Sequence, residues 1–287
     1  MNIELVSTKT KDGVTLHGGF LEAPTLRTGL AVDCIVFIHG SGGNFYGSPS
    51  LRKAAMFRDE GIPVVLFNTR GHDIIAGHSG DVEVGNAFDI LDHCRWDIEA
   101  MVDWMSGRGY KRIGLMGTSM GAVKVIYAQA HNQDSRISAV ISLSPLRLSN
   151  EYFLASELGE EHRRNCEEAR ALVAAGKEGQ VMKVSFPIDH YFTAKAYLDR
   201  HGDERYNLAR AFTEKVPGPL LILAGAVESH PRVRGAAQEI FERAKANPQA
   251  ELFLIEDGDH GLRGQEQELK DGVMNWLQKI AVAPATA

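Results

Sequence analysis

Hydrophobic and polar residues alternate near the start of the chain, over residues 3–10 and 14–21. This period of two is typical of half-buried strands, and Lys11-Asp12-Gly13 between them favours a hairpin turn. Further along, the pattern changes to short, continuous apolar runs, which indicate strands buried on both faces of a parallel sheet. These runs cover residues 33–38, 63–68, 113–116, 137–143, 219–224 and 251–255.

Segments with helical spacing separate most of these runs, and in the longest of them Leu91, Cys94, Ile98 and Met101 recur on one face. Alternating strands and helices predict a mostly parallel sheet with helices on both faces. The Gly-rich stretch 74–85 is predicted to be loop, and the tail 282–287 is predicted to fray. The predicted helices cover residues 50–60, 86–105, 120–130, 232–246 and 265–281.

The alternation stops after Pro145 and resumes only at residue 219. A structureless loop of that length is improbable in a compact domain, so a helical lid is predicted at 147–215. The segments 1–146 and 216–287 then form the core. Phe186, Tyr191 and Phe192 are candidates for substrate contacts, and packing of the insertion onto the core would account for them equally well.

Composition narrows the class of protein. The chain has 287 residues, 44% hydrophobic and 24% charged, with a net charge of −6 and no basic stripe, which argues against nucleic-acid binding. No signal-peptide pattern opens the sequence, and its apolar runs are too short to span a membrane. Cys34, Cys94 and Cys166 fit neither a disulfide framework nor a zinc spacing. These features predict a reduced, cytoplasmic protein.

A short motif, Gly117-Thr118-Ser119-Met120-Gly121, joins a buried strand to a helix. The pattern Gly-x-Ser-x-Gly is typical of a very sharp turn that holds the serine in a strained conformation. Larger residues at the two glycine positions would collide with neighbouring backbone, and the helix N-terminus favours developing negative charge. Taken alone, the motif also fits an ordinary Gly-rich loop with Ser119 as a helix cap.

Three further polar residues, Ser41, Glu228 and His260, also follow predicted strand ends. Ligands of parallel sheets sit beyond the carboxyl ends of the strands, so these groups are expected to lie near Ser119. A serine hydroxyl needs a base, for which His260 is the candidate, and an imidazole base needs a carboxylate, for which Glu228 is the candidate. The alternative is that His260 and Glu228 are ordinary residues of surface loops.

The motif and these loops together resemble the α/β-hydrolase family over nearly the whole chain, with the insertion least well matched. The resemblance implies an α/β-hydrolase fold with a mostly parallel eight-stranded sheet, an antiparallel second strand and an inserted lid. It implies Ser119, Glu228 and His260 as nucleophile, acid and base, although the family usually has Asp at the acid position. The implied oxyanion donors are the amides of Ser41 and Met120.

Within the family, the loops 39–44, 68–73 and 117–121 are similar to the siderophore-ester hydrolase branch. His39, Arg70, His72 and Asp73 are expected to support these loops, with substrate contact by the last three left open.

The function predicted from these residues is a serine hydrolase that cleaves a carboxylic ester, lactone or thioester of a small molecule. Hydrolysis of a carbon–carbon bond in a diketone is the enzymatic alternative. A ligand receptor on a hydrolase fold is the alternative from another class. No metal or organic cofactor is implied, and a homodimer remains open.

Overall fold

The computed structural model describes residues 2–282, so residues 283–287 of the predicted frayed tail lie outside it. The strands are β1 (Glu4–Lys9), β2 (Thr15–Leu21), β3 (Cys34–Ile38), β4 (Val64–Phe67), β5 (Gly77–Ser79), β6 (Val82–Val84), β7 (Ile113–Thr118), β8 (Ile137–Leu143), β9 (Val181–Val184), β10 (His190–Thr193), β11 (Leu220–Gly225) and β12 (Ala250–Ile255). The helices are α1 (Ser48–Asp59), α2 (Cys94–Gly107), α3 (Met120–Asn132), α4 (Asn150–Ala155), α5 (Gly159–Ala174), α6 (Ala194–His201), α7 (Ala236–Ala244) and α8 (Glu266–Val282).

Eight strands form the central sheet in the order β1-β2-β4-β3-β7-β8-β11-β12. From β4 to β12 every neighbouring pair is parallel, whereas β2 is antiparallel to both β1 and β4. The carboxyl ends of β3, β7, β11 and β12 therefore meet at one edge. This topology confirms the α/β-hydrolase fold and the antiparallel second strand.

Two apolar layers cover the sheet. One contains side chains of α2, α3 and α7, such as Met101, Val125 and Ile240. The other contains side chains of α1 and α8, such as Phe57 and Trp276. Helices thus lie on both faces, which explains why the central strands carry continuous apolar runs. Within residues 2–282, no helix combines the length and apolar character needed to cross a membrane.

Two predictions about the segment before α2 are wrong. The stretch predicted as loop at 74–85 contains the hairpin β5–β6, with Gly80 at a φ of 61° in its turn. The helix predicted to start at residue 86 starts at Cys94, after a 3-10 turn at Leu91–His93. Its expected first turn is not helical because the amides of Asn86 and Ala87 donate to the carbonyls of Asp73 and Ile74.

The helix predicted from residue 232 also begins late, at Ala236. Gly235 has a φ of 70°, a left-handed conformation that does not continue a right-handed helix. The carbonyl of Arg232 accepts a hydrogen bond from the amide of Arg147 instead.

The segment between β8 and β11, predicted to be helical, contains three α-helices and also the hairpin β9–β10. It has a small apolar core that includes Cys166, Met182, Phe192 and Tyr197. The amide of Thr193 donates to the carbonyl of Ala87, which ties the segment to the loops at the carboxyl edge of the sheet. That this segment acts as a lid remains a prediction.

Candidate active site

The turn from β7 to α3 has the sharp geometry that its sequence predicts. Ser119 has a φ of 59° and a ψ of −117°, a conformation that residues with a β-carbon rarely adopt. A β-carbon on Gly117 would lie 2.2 Å from the carbonyl oxygen of Gly121. One on Gly121 would lie 2.3 Å from that of Ile38. The two glycines are therefore required by close backbone packing around Ser119.

The structure brings Ser119, His260 and Glu228 together at the carboxyl edge of the sheet. The Oγ of Ser119 lies 3.1 Å from Nε2 of His260, and Nδ1 of His260 lies 3.3 Å from Oε1 of Glu228. If Nε2 accepts the serine proton, Nδ1 carries the ring hydrogen and donates it to Glu228. This tautomer allows His260 to act as a base toward Ser119.

Glu228 reaches the far nitrogen of the imidazole, and its side chain is only 8% exposed. The distance of 3.3 Å between Oε1 of Glu228 and Nδ1 of His260 exceeds the length of about 2.7–2.9 Å that is usual for a charge-assisted hydrogen bond. Asp259, the sequence neighbour of His260, instead accepts a hydrogen bond from the amide of Arg263.

His39 supports the glycine loop, which we define as residues 40–47. Its Nε2 accepts a hydrogen bond from the amide of Thr69, so Nδ1 carries the hydrogen and donates to the carbonyl of Gly40. Burial lowers the pKa of His39 to about 4, and the ring is neutral at physiological pH. Its contacts agree with the expectation that His39 supports the loop.

Asp73 anchors the other end of the glycine loop. Its carboxylate accepts hydrogen bonds from Nδ2 of Asn44 at 2.6 Å and from the hydroxyl of Tyr46 at 2.7 Å. Nδ1 of His72 lies 2.8 Å from the same carboxylate. Arg70 is buried and pairs with Asp12 and Asp97. These contacts agree with the expected supporting role of Arg70, His72 and Asp73.

A second buried charge network lies beneath the loops. Asp89 accepts hydrogen bonds from Lys124 at 2.7 Å and from Arg200 at 2.9 Å. Burial would raise the pKa of Asp89, but the two cations outweigh it and lower that pKa. Arg200 comes from α6, so this network joins the inserted segment to α3.

A cavity of about 280 Å³ opens beside Ser119 and His260, and its lining also includes Ser41 and Lys53. Ser41 is thus in place at the cavity. Met120 begins α3, and the first amides of a helix have no acceptor within the helix. Oxyanion binding by the amides of Ser41 and Met120 stays a prediction.

The predicted aromatic contacts of the insertion are not among the residues that line this cavity. Phe186 and Phe192 are buried, and Phe192 belongs to the apolar core of the inserted segment. Tyr191 is 42% exposed. Substrate contact by these three side chains stays a prediction, and their positions favour the packing alternative for Phe192.

Sequence reasoning missed three residues near the site. Lys53 of α1 lines the cavity and donates to the carbonyl of Gly261, and burial lowers its pKa. His190 lies against the glycine loop, since a β-carbon on Gly42 would be 2.8 Å from its Nε2. Arg232 donates a hydrogen bond to Oγ of Ser41. For Arg232 the sequence offered only its position, four residues after Glu228 in the same loop.

Among residues 2–282, no three His, Cys, Asp or Glu side chains are grouped so that they could hold a metal ion. A cavity of about 670 Å³ lies between β12 and α8, lined by residues such as Phe253 and Trp276. None of the predicted catalytic residues lines this larger cavity. The candidate site is therefore located by the hydrogen bonds among Ser119, His260 and Glu228, and not by cavity volume.

With this fold and this site, the chain can be compared with known proteins. The model of the alpha/beta hydrolase family matches residues 35–270. The chain therefore belongs to the alpha/beta hydrolase family and is classed as a hydrolase.

Individual relatives are distant. The uncharacterized protein YfhR of Salmonella typhi is 22% identical over 281 residues, which cover 96% of this chain and 81% of that protein. The alpha/beta hydrolase GrgF from Penicillium sp. sh18 has a TM-score of 0.73 at 15% identity, covering 99% of this chain and 100% of its own. The esterase Pf2001 of Pyrococcus furiosus has a TM-score of 0.67 at 20% identity, with coverages of 98% and 92%. At these identities the structural likenesses show the fold alone.

Proposed function

We propose that the protein is a serine hydrolase that cleaves a carboxylic ester, lactone or thioester of a small molecule through an acyl-enzyme on Ser119. The observation that carries the proposal is the pair of hydrogen bonds that links Ser119 to His260 and His260 to Glu228. The strained backbone of Ser119 supports it further, because it presents the hydroxyl at the N-terminus of α3.

In the proposed reaction, Oγ of Ser119 attacks the substrate carbonyl while its proton moves to Nε2 of His260. Glu228 stabilises the imidazolium that forms, through the hydrogen on Nδ1. The oxyanion of the tetrahedral intermediate is held by the amides of Met120 and Ser41. The intermediate collapses to an acyl-enzyme as Nε2 returns the proton to the leaving group, and water then releases the acid by the same steps.

We also propose that residues 147–215 act as the lid of this site. His190, at the start of β10, contacts the glycine loop, and the buried pair of Arg200 with Asp89 fixes α6 to the segment between β6 and α2. The cavity of about 280 Å³ lies at the lower end of the range for ligand pockets, which favours a small substrate.

The test is hydrolysis of p-nitrophenyl esters of rising acyl length, with a thioester and a lactone beside them. We expect short acyl chains to be preferred and Ser119→Ala to lower kcat by at least about 1,000-fold. Hydrolysis that survives in Ser119→Ala at the original rate contradicts the proposal.

The same panel includes a diketone, because carbon–carbon hydrolysis is the remaining enzymatic alternative. Cleavage of the diketone with no activity on any ester would replace the proposed function by that alternative.

A further inference from the structure

Arg232 differs from the other buried arginines of the described chain. Arg70, Arg147 and Arg200 each form a salt bridge with a carboxylate. Arg232 is only 6% exposed, yet its polar contact is with a neutral group, since Nη2 donates to Oγ of Ser41 at 3.0 Å. Its Nε is buried and has no hydrogen-bond partner within residues 2–282. A guanidinium in this state is a desolvated cation without a counter-ion.

The charged group nearest to Arg232 is another cation, Arg200, so the surroundings add positive charge and do not balance that of Arg232. Burial, and to a lesser extent the neighbouring cation Arg200, lower the pKa of Arg232 to about 9. Asp89, the carboxylate beside Arg200, already accepts from both Lys124 and Arg200. The interior next to Ser41 therefore holds more cationic groups than anionic ones.

A second cation, Lys53, borders the cavity that Ser41 lines. Its Nζ donates to the carbonyl of Gly261 at 3.2 Å. The one carboxylate at the triad, Glu228, faces His260. Ser41 lines the cavity and contacts Arg232, whose own side chain is not among the lining residues, so the guanidinium lies behind Ser41. A carboxylate bound beside Ser41 would lie within the field of this guanidinium and of the ammonium of Lys53.

We propose that the substrate carries a carboxylate and that Arg232 binds this group beside Ser41. The proposal rests on the proposed function, and it narrows the substrate from any ester to an anionic one. The planar guanidinium offers paired N–H donors that match the two oxygens of a carboxylate. Lys53 adds attraction at a distance. A merely structural Arg232, which only holds Ser41 in place, is the competing explanation.

The kinetic test compares matched esters with and without a carboxylate. One pair is p-nitrophenyl hydrogen adipate and p-nitrophenyl hexanoate, with the charge on the acyl side. The other is 4-acetoxybenzoate and p-tolyl acetate, with the charge on the alcohol side. We expect the wild type to prefer the anionic ester in at least one pair by about tenfold or more in kcat/KM, the range of a charge-assisted hydrogen bond.

Arg232→Met is expected to lower that preference by about 10- to 100-fold, because kcat/KM falls much further for the anionic ester than for the neutral one. The matched control is Arg234→Met, which removes the same charge from the same loop at a side chain that is 48% exposed and pairs with Glu157. The control is expected to leave the preference within about twofold. Arg232→Lys keeps the charge and is expected to retain part of the preference.

Two results overturn the inference. One is a wild type that does not favour the anionic ester in either pair. The other is an Arg232→Met variant that loses activity on charged and neutral esters equally, which is the outcome for a residue that only supports Ser41. If thermal unfolding shows that Arg232→Met does not fold, Arg232→Lys and the wild-type preference decide the matter.

A binding measurement separates this inference from the proposed function. In a Ser119→Ala background, calorimetry compares monomethyl adipate with dimethyl adipate, and then repeats the comparison after Arg232→Met. We expect tighter binding of the charged ligand by about tenfold, lost with Arg232. If this holds while no ester is cleaved, the proposed function falls and the carboxylate site stands. If esters are cleaved but charged and neutral ligands bind equally well, the proposed function stands and the carboxylate site falls.

Discussion

Ser119 has a φ of 59° although it carries a β-carbon. Such a conformation costs about 1–3 kcal/mol and persists only where the surrounding structure holds it. Here the close approach of Gly117 to Gly121, and of Gly121 to Ile38, leaves the backbone no room to relax. The position of Ser119, the proposed nucleophile, therefore depends on the two glycines as well as on the serine.

Gly121→Ala is the direct test of this packing. The new β-carbon would meet the carbonyl oxygen of Ile38 at 2.3 Å, and β3 cannot withdraw because it is paired on both sides. We expect a loss of at least about 2 kcal/mol in the free energy of unfolding by urea, with a fall in kcat. Gly179→Ala is the control, since a β-carbon there meets nothing within 4 Å. Equal stability of the two variants contradicts the packing argument.

Glu228 is tested by Glu228→Gln, which keeps the size of the side chain but removes its charge. The amide no longer stabilises the imidazolium or fixes the ring tautomer, so kcat/KM is expected to fall by about 100-fold or more. Asp259→Asn is the control, because Asp259 is the sequence neighbour of His260 and contacts Arg263 instead. A fall of less than about threefold in Glu228→Gln, measured by steady-state kinetics, contradicts the assignment of the acid.

Single residues were predictable where a local pattern defines their role. The elbow motif identifies Ser119, and the ends of predicted strands identify His260 and Glu228. Arg232 shows the limit of this reasoning, because it lies two positions before Arg234 in the same polar loop. Only tertiary contacts make the first buried and the second exposed. No local pattern carries that difference.

At the scale of elements, the glycine loop after β3 is held by the loop after β4. The carboxylate of Asp73 takes hydrogen bonds from Asn44 and Tyr46, and Asn68 accepts one from the amide of Phe45. His39 fixes the start of the same loop. Two neighbouring loops thus define where the amide of Ser41 lies, which is the group proposed to stabilise the oxyanion.

Asp73→Ala tests this anchoring. Removing the carboxylate frees Asn44 and Tyr46, so we expect kcat/KM to fall by about tenfold and the unfolding free energy by about 1–2 kcal/mol. Asp81→Ala is the control, because Asp81 is exposed at the turn of the β5–β6 hairpin. Unchanged kcat/KM for esters in Asp73→Ala would mean that the glycine loop does not depend on this anchor.

Element boundaries followed the sequence where apolar patterning decides them, as in the strands of the central sheet. They departed from it where a specific long-range contact decides them. The stretch 86–93 has helical spacing, but the backbone there bonds to residues 73 and 74 and to β10. The hairpin β5–β6 is short and polar, so its sequence carries no strand signal.

At the scale of the whole molecule, several histidines are buried in the neutral state. Burial lowers the pKa of His39 and of His162 to about 4, and that of His201 well below its usual value. Their unfolded pKa is about 6.5, so the unfolded chain binds more protons between that value and about 4. Their contribution to stability is therefore complete above pH 6.5 and is lost as the pH falls below it.

We expect the free energy of unfolding to fall from pH 7 to pH 4.5, by at least about 1 kcal/mol per pH unit in the lower half of this range. Asp97, whose pKa is raised by burial, acts in the opposite direction, and the histidines outnumber it. His162→Gln should reduce the slope, whereas His78→Gln should not, because His78 is exposed. Denaturant unfolding at each pH provides the measurement. Stability that rises on acidification contradicts the account.

The class of fold follows from the sequence because alternating buried strands and helices admit few arrangements. The convergence of the loops that carry Ser41, Ser119, Glu228 and His260 follows as well, because the carboxyl ends of parallel strands meet at one edge of the sheet. The surplus of buried positive charge does not follow, because it depends on which carboxylates reach which cations in the folded chain. Arg200 of the inserted segment pairs with Asp89. Arg232 forms no such pair with a carboxylate among residues 2–282, and its Nε has no hydrogen-bond partner there.

The central claim is that Ser119 is a nucleophile activated by His260. The most direct measurement is covalent labelling with a neutral fluorophosphonate, followed by peptide mapping by mass spectrometry. We predict one adduct per chain, on Ser119, with labelling slowed by at least about 100-fold in His260→Ala. Active protein that carries no adduct on Ser119, or that labels equally fast without His260, would contradict the account.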